Sequence, residues 1–459
     1  MKRSLNGMAR LILVCSVLWL PAHAFGQVNA RIIHHFMVDG TDGAQPFGAP
    51  IQGSDGMLYG TTQNRGSNDY GTVFRSRTDG SDYEVIYNFS RDPAQGQNPQ
   101  ATLVQGSDGR LYGTTAFSGT VFRVNTNGED YTVLRSFGGP GILVLGRDGA
   151  LYGTSMGGGT NNSGTVFKLN MDGSGFAVVC NFSTNIADAR SPYPGLMEGR
   201  DGALYGTAGG GSNGLGTLFK VNLDGSDYAV LHTFGSGTDG SYPQAGLIQA
   251  SDGALYGTTA GGGNNGVGTV YRLNVDGSDY AVLYHFTTGP RQGRRPASVP
   301  LIQRKDGMLY GVATEGGEAQ SGPSAAIFRL STNGADYAVL WSLGNSFNPD
   351  GGGPCFGLTQ DRDGALYGTT LYGGTNGNGT VFQLTFLQPK FISASLLSDK
   401  TVQLSLSGVS NATYRIEAST NVVNWLFMTN ILNATGTAQF KDLDAPNFVQ
   451  RFYRAAWVP

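Results

Sequence analysis

The chain has 459 residues, 39% hydrophobic and 14% charged, with 72 glycines and a formal net charge of −3. That mild acidity argues against a nucleic-acid partner, which would want a basic face. The glycine share is about twice the usual, yet it does not signal disorder, because the glycines recur in register with apolar runs.

Residues 1–24 have the order of a secretory signal peptide. Lys2, Arg3 and Arg10 form a basic start, Leu11 to Leu20 are largely apolar, and Ala22-His23-Ala24 fits a small-x-small cleavage site. The apolar run is too short to span a bilayer comfortably. Val14 is a poor residue before a lipidated cysteine, so Cys15 should leave with the signal. Loss of three cations takes the charge from −3 to −6. The expected address is secreted, extracellular or cell-surface, with no transmembrane segment after signal removal.

From residue 30 to residue 386 one pattern recurs, clearest between Leu247 and Phe286. Its core, Asp-Gly-x-Leu-Tyr-Gly, occurs seven times, with tyrosines Tyr59, Tyr112, Tyr152, Tyr205, Tyr256, Tyr310 and Tyr367. Such a period signals a solenoid, a propeller or an array. Each repeat carries four short apolar runs. The third run ends at Phe74, Phe122, Phe167, Phe219, Tyr271, Phe328 and Phe382. The fourth follows the first six cores, ending at Phe89, Phe137, Phe182, Phe234, Phe286 and Leu343, and is missing after the seventh. The missing copy stands at the other end, as Arg31-Ile32-Ile33-His34-His35-Phe36. An N-terminal strand that completes the last repeat removes the exposed edges of an open stack. The predicted fold is all-β: a seven-bladed β-propeller with four-stranded antiparallel blades closed by the N-terminal strand.

Asp-Gly between apolar runs predicts tight hairpins. Leucine and tyrosine of Leu-Tyr-Gly should point to opposite faces of the strand, both buried between blades, and the glycine should let another backbone approach. The first-to-second and third-to-fourth connections are nearly all uniform turns, so the loop variety collects on the opposite face, where a localised function belongs. That face is uneven. Ala116-Phe117-Ser118 and Gly138-Gly139-Pro140-Gly141 are the shortest loops, which predicts a notch over repeats 2 and 3. Three residues before each Asp-Gly stand Gln52, Gln105, Leu145, Glu198, Gln249, Gln303 and Gln360, placed either along a central channel or against turn backbone. Cys180 and Cys355 lie in non-adjacent repeats and read as small buried residues without zinc-site spacing.

Pro389 and Lys390 mark a linker. Residues 390–459 leave the period and alternate as a small antiparallel β-sandwich, with Val402-Gln403-Leu404-Ser405-Leu406 and Tyr414-Arg415-Ile416-Glu417-Ala418 among its strands.

Asp-Gly-x-Leu-Tyr-Gly-Thr-Thr, then glycines, then Gly-Thr-Val-Phe, resembles the GloVer tandem-repeat family of secreted bacterial proteins over roughly residues 30–386. The resemblance implies an extracellular or surface protein and brings no catalytic residues with it. The tail, with Tyr414 to Asn421 and Arg451-Phe452-Tyr453-Arg454, is similar to fibronectin-III-like modules of other secreted bacterial proteins.

No nucleophile elbow, P-loop, zinc-ligand pair or dinucleotide fingerprint occurs, so no catalytic residue, cofactor or metal is assigned. The Asp-Gly-Ser-Asp turns at Asp82, Asp227 and Asp279 lack the full calcium-loop spacing. The expected function is a binding or scaffolding module, a monomer with a glycan, another surface polymer or a surface protein as partner. The alternative is an extracellular polysaccharide lyase or glycosidase, which needs carboxylates or a His/Tyr/Arg set on the variable face. Ligand-binding candidates there are Tyr193, Tyr242, Arg291, Arg294, Arg295, Glu315 and Glu318. His34, His35, His232 and His285 fall in fourth runs and read as strand-edge residues.

Overall fold

The computed structural model describes every residue except 1–26, 38–39, 117–118, 140, 186–187, 290–291, 297–298, 318–323, 345–350, 388–389, 409–411 and 459. The signal-peptide expectation on residues 1–24 lies outside the described residues. One compact unit spans Ala30–Leu384, and Thr385–Pro459 falls in another.

In the first unit each repeat folds as an antiparallel meander, giving seven sheets of four or five strands among the described residues, beside two two-stranded ribbons. Sheet 1 runs Ile51–Gln52, Leu58–Thr62, Thr72–Ser76, Glu84–Asn88. Sheet 2 runs Val104–Gln105, Leu111–Thr114, Thr120–Val124, Thr132–Ser136, and sheet 3 Val144–Leu145, Leu151–Ser155, Thr165–Leu169, Ala177–Asn181. Sheet 4 runs Met197–Glu198, Leu204–Gly210, Thr217–Val221, Ala229–Thr233, with Ala189–Pro192 added beside its long second strand. Sheets 5 and 6 follow the same plan from Ile248 to His285 and from Ile302 to Ser342. Sheet 7 holds Gly352–Gln360, Leu366–Tyr372 and Thr380–Leu387, and its fourth strand is Gln27–His35. The Phe36 amide donates to Gly379 O (3.2 Å), as Phe89 does to Gly71 O (3.0 Å) and Phe234 to Gly216 O (3.0 Å). Phe36 thus occupies the seat that the fourth-run phenylalanine has in sheets 1 to 5 and Leu343 has in sheet 6.

The recurring motif has a local cause. The Asp55 carboxylate accepts from the Met57 amide (3.0 Å) across its turn and from the Tyr59 hydroxyl (2.6 Å). The same hydroxyl bond recurs from Tyr112 to Asp108 (2.8 Å), Tyr152 to Asp148 (2.8 Å), Tyr205 to Asp201 (2.7 Å), Tyr256 to Asp252 (2.7 Å) and Tyr310 to Asp306 (2.8 Å). Burial first, and then the aspartate partner, push the Tyr59 phenol up to about 12, so it stays a donor. The glycine after the tyrosine makes room for a ring: a Cβ on Gly113 would stand 2.5 Å from Phe122 and one on Gly153 2.6 Å from Phe167, while at Gly368 the Gly357 carbonyl also comes to 2.7 Å, the backbone approach the sequence predicts.

Leucine and tyrosine of the motif do face opposite ways. Tyr59 packs with Leu111, Tyr112 with Leu151, Tyr152 with Leu204, Tyr205 with Leu255 and Tyr256 with Leu309. Tyr367 of sheet 7 packs with Leu58 of sheet 1. Phe36 and Val381 meet Phe74 in the same way.

The glutamines bond turn backbone on both sides of a sheet boundary. Gln249 Nε2 donates to Gly253 O (2.8 Å) within its own turn, and its Oε1 accepts from the Arg200 amide of sheet 4 (2.8 Å). Gln105 bridges to Ser54 (2.8 Å), Gln303 to Ser251 (2.6 Å) and Gln52 to Arg362 (3.1 Å), while Glu198 accepts from Arg147 (2.8 Å). Leu145 offers neither group. Cys180 is unbonded and only half-buried, where a fully buried residue was expected; the Cys355 side chain lies outside the described atoms.

In the second unit, Lys390–Leu396, Val402–Ser407 and Thr437–Asp442 form one three-stranded antiparallel sheet. Leu426–Asn433, Ala412–Ser419 and Phe452–Val458 form another. Val402 and Leu404 of the first share a core with Ala418 and Tyr453 of the second.

Candidate functional site

Near the end of the second strand a threonine hydroxyl stitches sheets 1, 2, 3, 4 and 7 to a neighbouring sheet's entry segment on the variable face. Thr114 Oγ1 donates to Gly141 O (3.1 Å) and Thr154 Oγ1 to Tyr193 O (3.2 Å). A cleft of about 320 Å³ opens between these stitches. Its walls come from the segments leading into sheets 1 to 4, with Phe47, Gln100, Ala101, Gly139, Gly141, Ile142 and Pro194. The strand ends of sheets 2 and 3 add Thr114, Ala116, Thr154 and Met156. The cleft therefore lies where the short loops leave low ground. Its size is at the small end of ligand pockets, which run from roughly 300 to 1,000 Å³.

No ionisable side chain stands among these lining residues. Met156 is exposed and Phe47 half-buried, so the cleft offers solvent an apolar surface. The Thr114 and Thr154 hydroxyls are engaged on carbonyls, so the wall is preformed. This arrangement suits an uncharged group with an apolar face.

The model of the Gloeobacter/Verrucomicrobia repeat matches residues 24–209, 119–322 and 195–412, together most of the chain. The chain belongs to this repeat family. No curated protein matches this Gloeobacter/Verrucomicrobia repeat protein. Among solved structures it is similar to virginiamycin B lyase from Staphylococcus aureus, with a TM-score of 0.52 and 13% identity over 78% of this chain and 100% of that one. It is also similar to the extracellular domain of a hybrid two-component system from B. thetaiotaomicron, with a TM-score of 0.51 and 11% identity over 91% of this chain and 55% of that one. At such identities the likeness shows a propeller-like fold and nothing of the chemistry. No helix among the described residues is long and apolar enough to cross a membrane.

The sequence candidates fall into two groups in this repeat protein. Tyr193 and Tyr242 are electrostatic neighbours, and burial pushes the Tyr193 phenol up. Tyr193 adjoins Pro194 of the cleft, and Tyr242 stands 44% exposed on left-handed backbone (φ 58°). Arg294, Arg295 and Glu315 form one ion cluster at the entry to sheet 6, with Arg294 Nε 3.1 Å and Arg295 Nη1 3.1 Å from the two Glu315 oxygens. The Arg294 contact is ionic only, because its Nε lacks hydrogen-bond geometry. Arg294 and Glu315 also pair through backbone, Arg294 N donating to Glu315 O (2.8 Å). Arg291 and Glu318 lie outside the described residues.

Two histidines prove to be more than strand-edge residues. His34 stacks on Tyr83 (3.6 Å) and its Nε2 lies 3.1 Å from Asp42 Oδ2, while Tyr83 donates to the same carboxylate. His232, Tyr280 and Asp239 repeat the arrangement, with stacking at 3.7 Å and an Nε2–Oδ2 distance of 3.3 Å. Each histidine belongs to one sheet and its tyrosine to the next, so the trio latches a sheet boundary. The Asp82, Asp227 and Asp279 turns are ordinary turns with left-handed φ of 52–53°. No group of three or more metal-ligating side chains occurs among the described residues.

Proposed function

We propose that Ala30–Leu384 is a seven-bladed propeller closed by the N-terminal strand and followed by a β-sandwich, acting as an exported binding module for a glycan or another surface polymer. The ring is supported by the Tyr367–Leu58 and Phe36–Phe74 contacts, which put sheet 7 against sheet 1 as sheet 1 meets sheet 2. The observation that carries the function is the uncharged, apolar cleft over blades 2 and 3. A pyranose presents an apolar C–H face to such a surface, and a chain can enter sideways over the short loops. A glycosidase needs paired carboxylates, and Glu315 serves two arginines instead.

The test is titration of the mature protein with neutral cello-, manno- and galacto-oligosaccharides beside a reducing-end release assay. Binding without release is expected. Ile142→Glu should weaken binding about tenfold or more by placing a charge in an apolar wall, while Arg295→Ser should stay within about twofold. Binding indifferent to Ile142→Glu, or released reducing ends, would overturn the reading.

A further inference from the structure

The second unit carries a built surface that the propeller cleft leaves unexplained. In the sheet of Leu426–Asn433, Ala412–Ser419 and Phe452–Val458, Tyr414, Ile416 and Ala418 point inward and are buried. By strand alternation Arg415 and Glu417 point outward. Glu417 stands opposite Phe427 on one side and Arg454 on the other. Its carboxylate, only 9% exposed, holds two arginines at once: Arg415 Nε is 2.9 Å from Oε1 and Arg454 Nε 2.5 Å from Oε2. Each guanidinium also lies over an aromatic ring, Arg415 over Phe427 (5.0 Å) and Arg454 over Trp425 (4.3 Å). Phe427 remains 54% exposed, and half of the Arg415 side chain reaches solvent.

We propose that this sheet face is a second binding site, for a carboxylate-bearing polysaccharide such as a polyuronate. Both arginines hold Glu417 through Nε, and half of the Arg415 side chain still reaches solvent. A guanidinium fork matches a carboxylate in two parallel bonds. Phe427, 54% exposed, supplies a flat apolar ring beside the guanidinium on which a sugar ring stacks. Two cations against one anion leave the cluster one positive charge in a chain whose formal charge is −3. The complementarity is therefore local to this face and is not a general attraction for polyanions. A phosphopeptide or membrane surface would be met better by a field of lysines than by two arginines pinned between rings.

Affinity electrophoresis of the full chain through gels containing polygalacturonate, with neutral dextran gels alongside, tests the site. Polygalacturonate alone should retard the protein, and less so at high salt, since exposed charges are screened. Arg415→Gln and Phe427→Ser, both at exposed side chains, should each lower the apparent affinity about fivefold or more. A triple variant, Arg415→Gln, Glu417→Gln and Arg454→Gln, removes the charges together and orphans no buried carboxylate; it should abolish retardation. Ile142→Glu should leave retardation unchanged, which separates this site from the propeller cleft. The proposal is overturned if the unaltered protein is not retarded, if dextran retards it equally, or if the Arg415, Phe427 and triple variants migrate as it does.

Discussion

At the scale of single residues, the aspartates do most of the organising. Asp239 accepts from His232, Tyr280 and the Gly235 and Gly240 amides. Burial pushes its carboxyl up, but these donors outweigh burial and hold it down at about 2. A carboxyl with a depressed folded pKa stabilises the protein above its unfolded value, about 3.9, and that contribution drains as pH falls toward 2. Thermal melts of Asp239→Asn and unaltered protein should therefore differ most near neutral pH and converge between about pH 4 and 2. A gap that stays constant across that range would refute the assignment. Burial and the Asp188 carboxylate push the Cys180 thiol up to about 11, which keeps it protonated. Peptide mapping after iodoacetamide treatment at pH 8 should find native Cys180 essentially unmodified; prompt alkylation would contradict this.

At the scale of strands and turns, the link between sheets is carried by short, repeated bonds. Gln249→Leu removes one hydrogen bond across the sheet 4–5 boundary and one within its own turn, and should cost about 1 kcal/mol in urea unfolding, within the usual net worth of such bonds. Leu145→Gln should recover a comparable amount by supplying the missing bridge. If Gln249→Leu is neutral, the bridge is incidental. Gly153→Ala pushes a Cβ into the Phe167 ring and should cost on the order of 1–3 kcal/mol as an overpacked core. Such elements were legible in the sequence because their partners sit at fixed spacing: Asp55 and Tyr59 are four residues apart in one hairpin, and Gly153 meets Phe167 on the adjacent strand. The cleft was legible only as low ground, through short loops. Its lining was not, because Phe47, Gln100, Ile142 and Pro194 come from four segments of unequal length that meet only when sheets pack. The latches were missed for a similar reason. His34 and Asp42 meet directly, but Tyr83, which stacks on one and bonds the other, comes from the following repeat, a partner that no local pattern supplies.

At the scale of the molecule, the account rests on the N-terminal strand being an integral part of the seventh sheet and not an appendage. Phe36 is fully buried, as Phe89 is, and both amides bond the equivalent third-strand entry. If the ring is closed, the two phenylalanines are equivalent in energy as well as in position, because each seals a boundary between neighbouring sheets. The most direct measurement is the unfolding free energy of Phe36→Ala beside Phe89→Ala in the otherwise unaltered protein. The account predicts that both lose about 3–5 kcal/mol, the usual cost of deleting a buried phenylalanine ring. A loss below about 1 kcal/mol for Phe36→Ala, with Phe89→Ala keeping its full cost, would contradict closure.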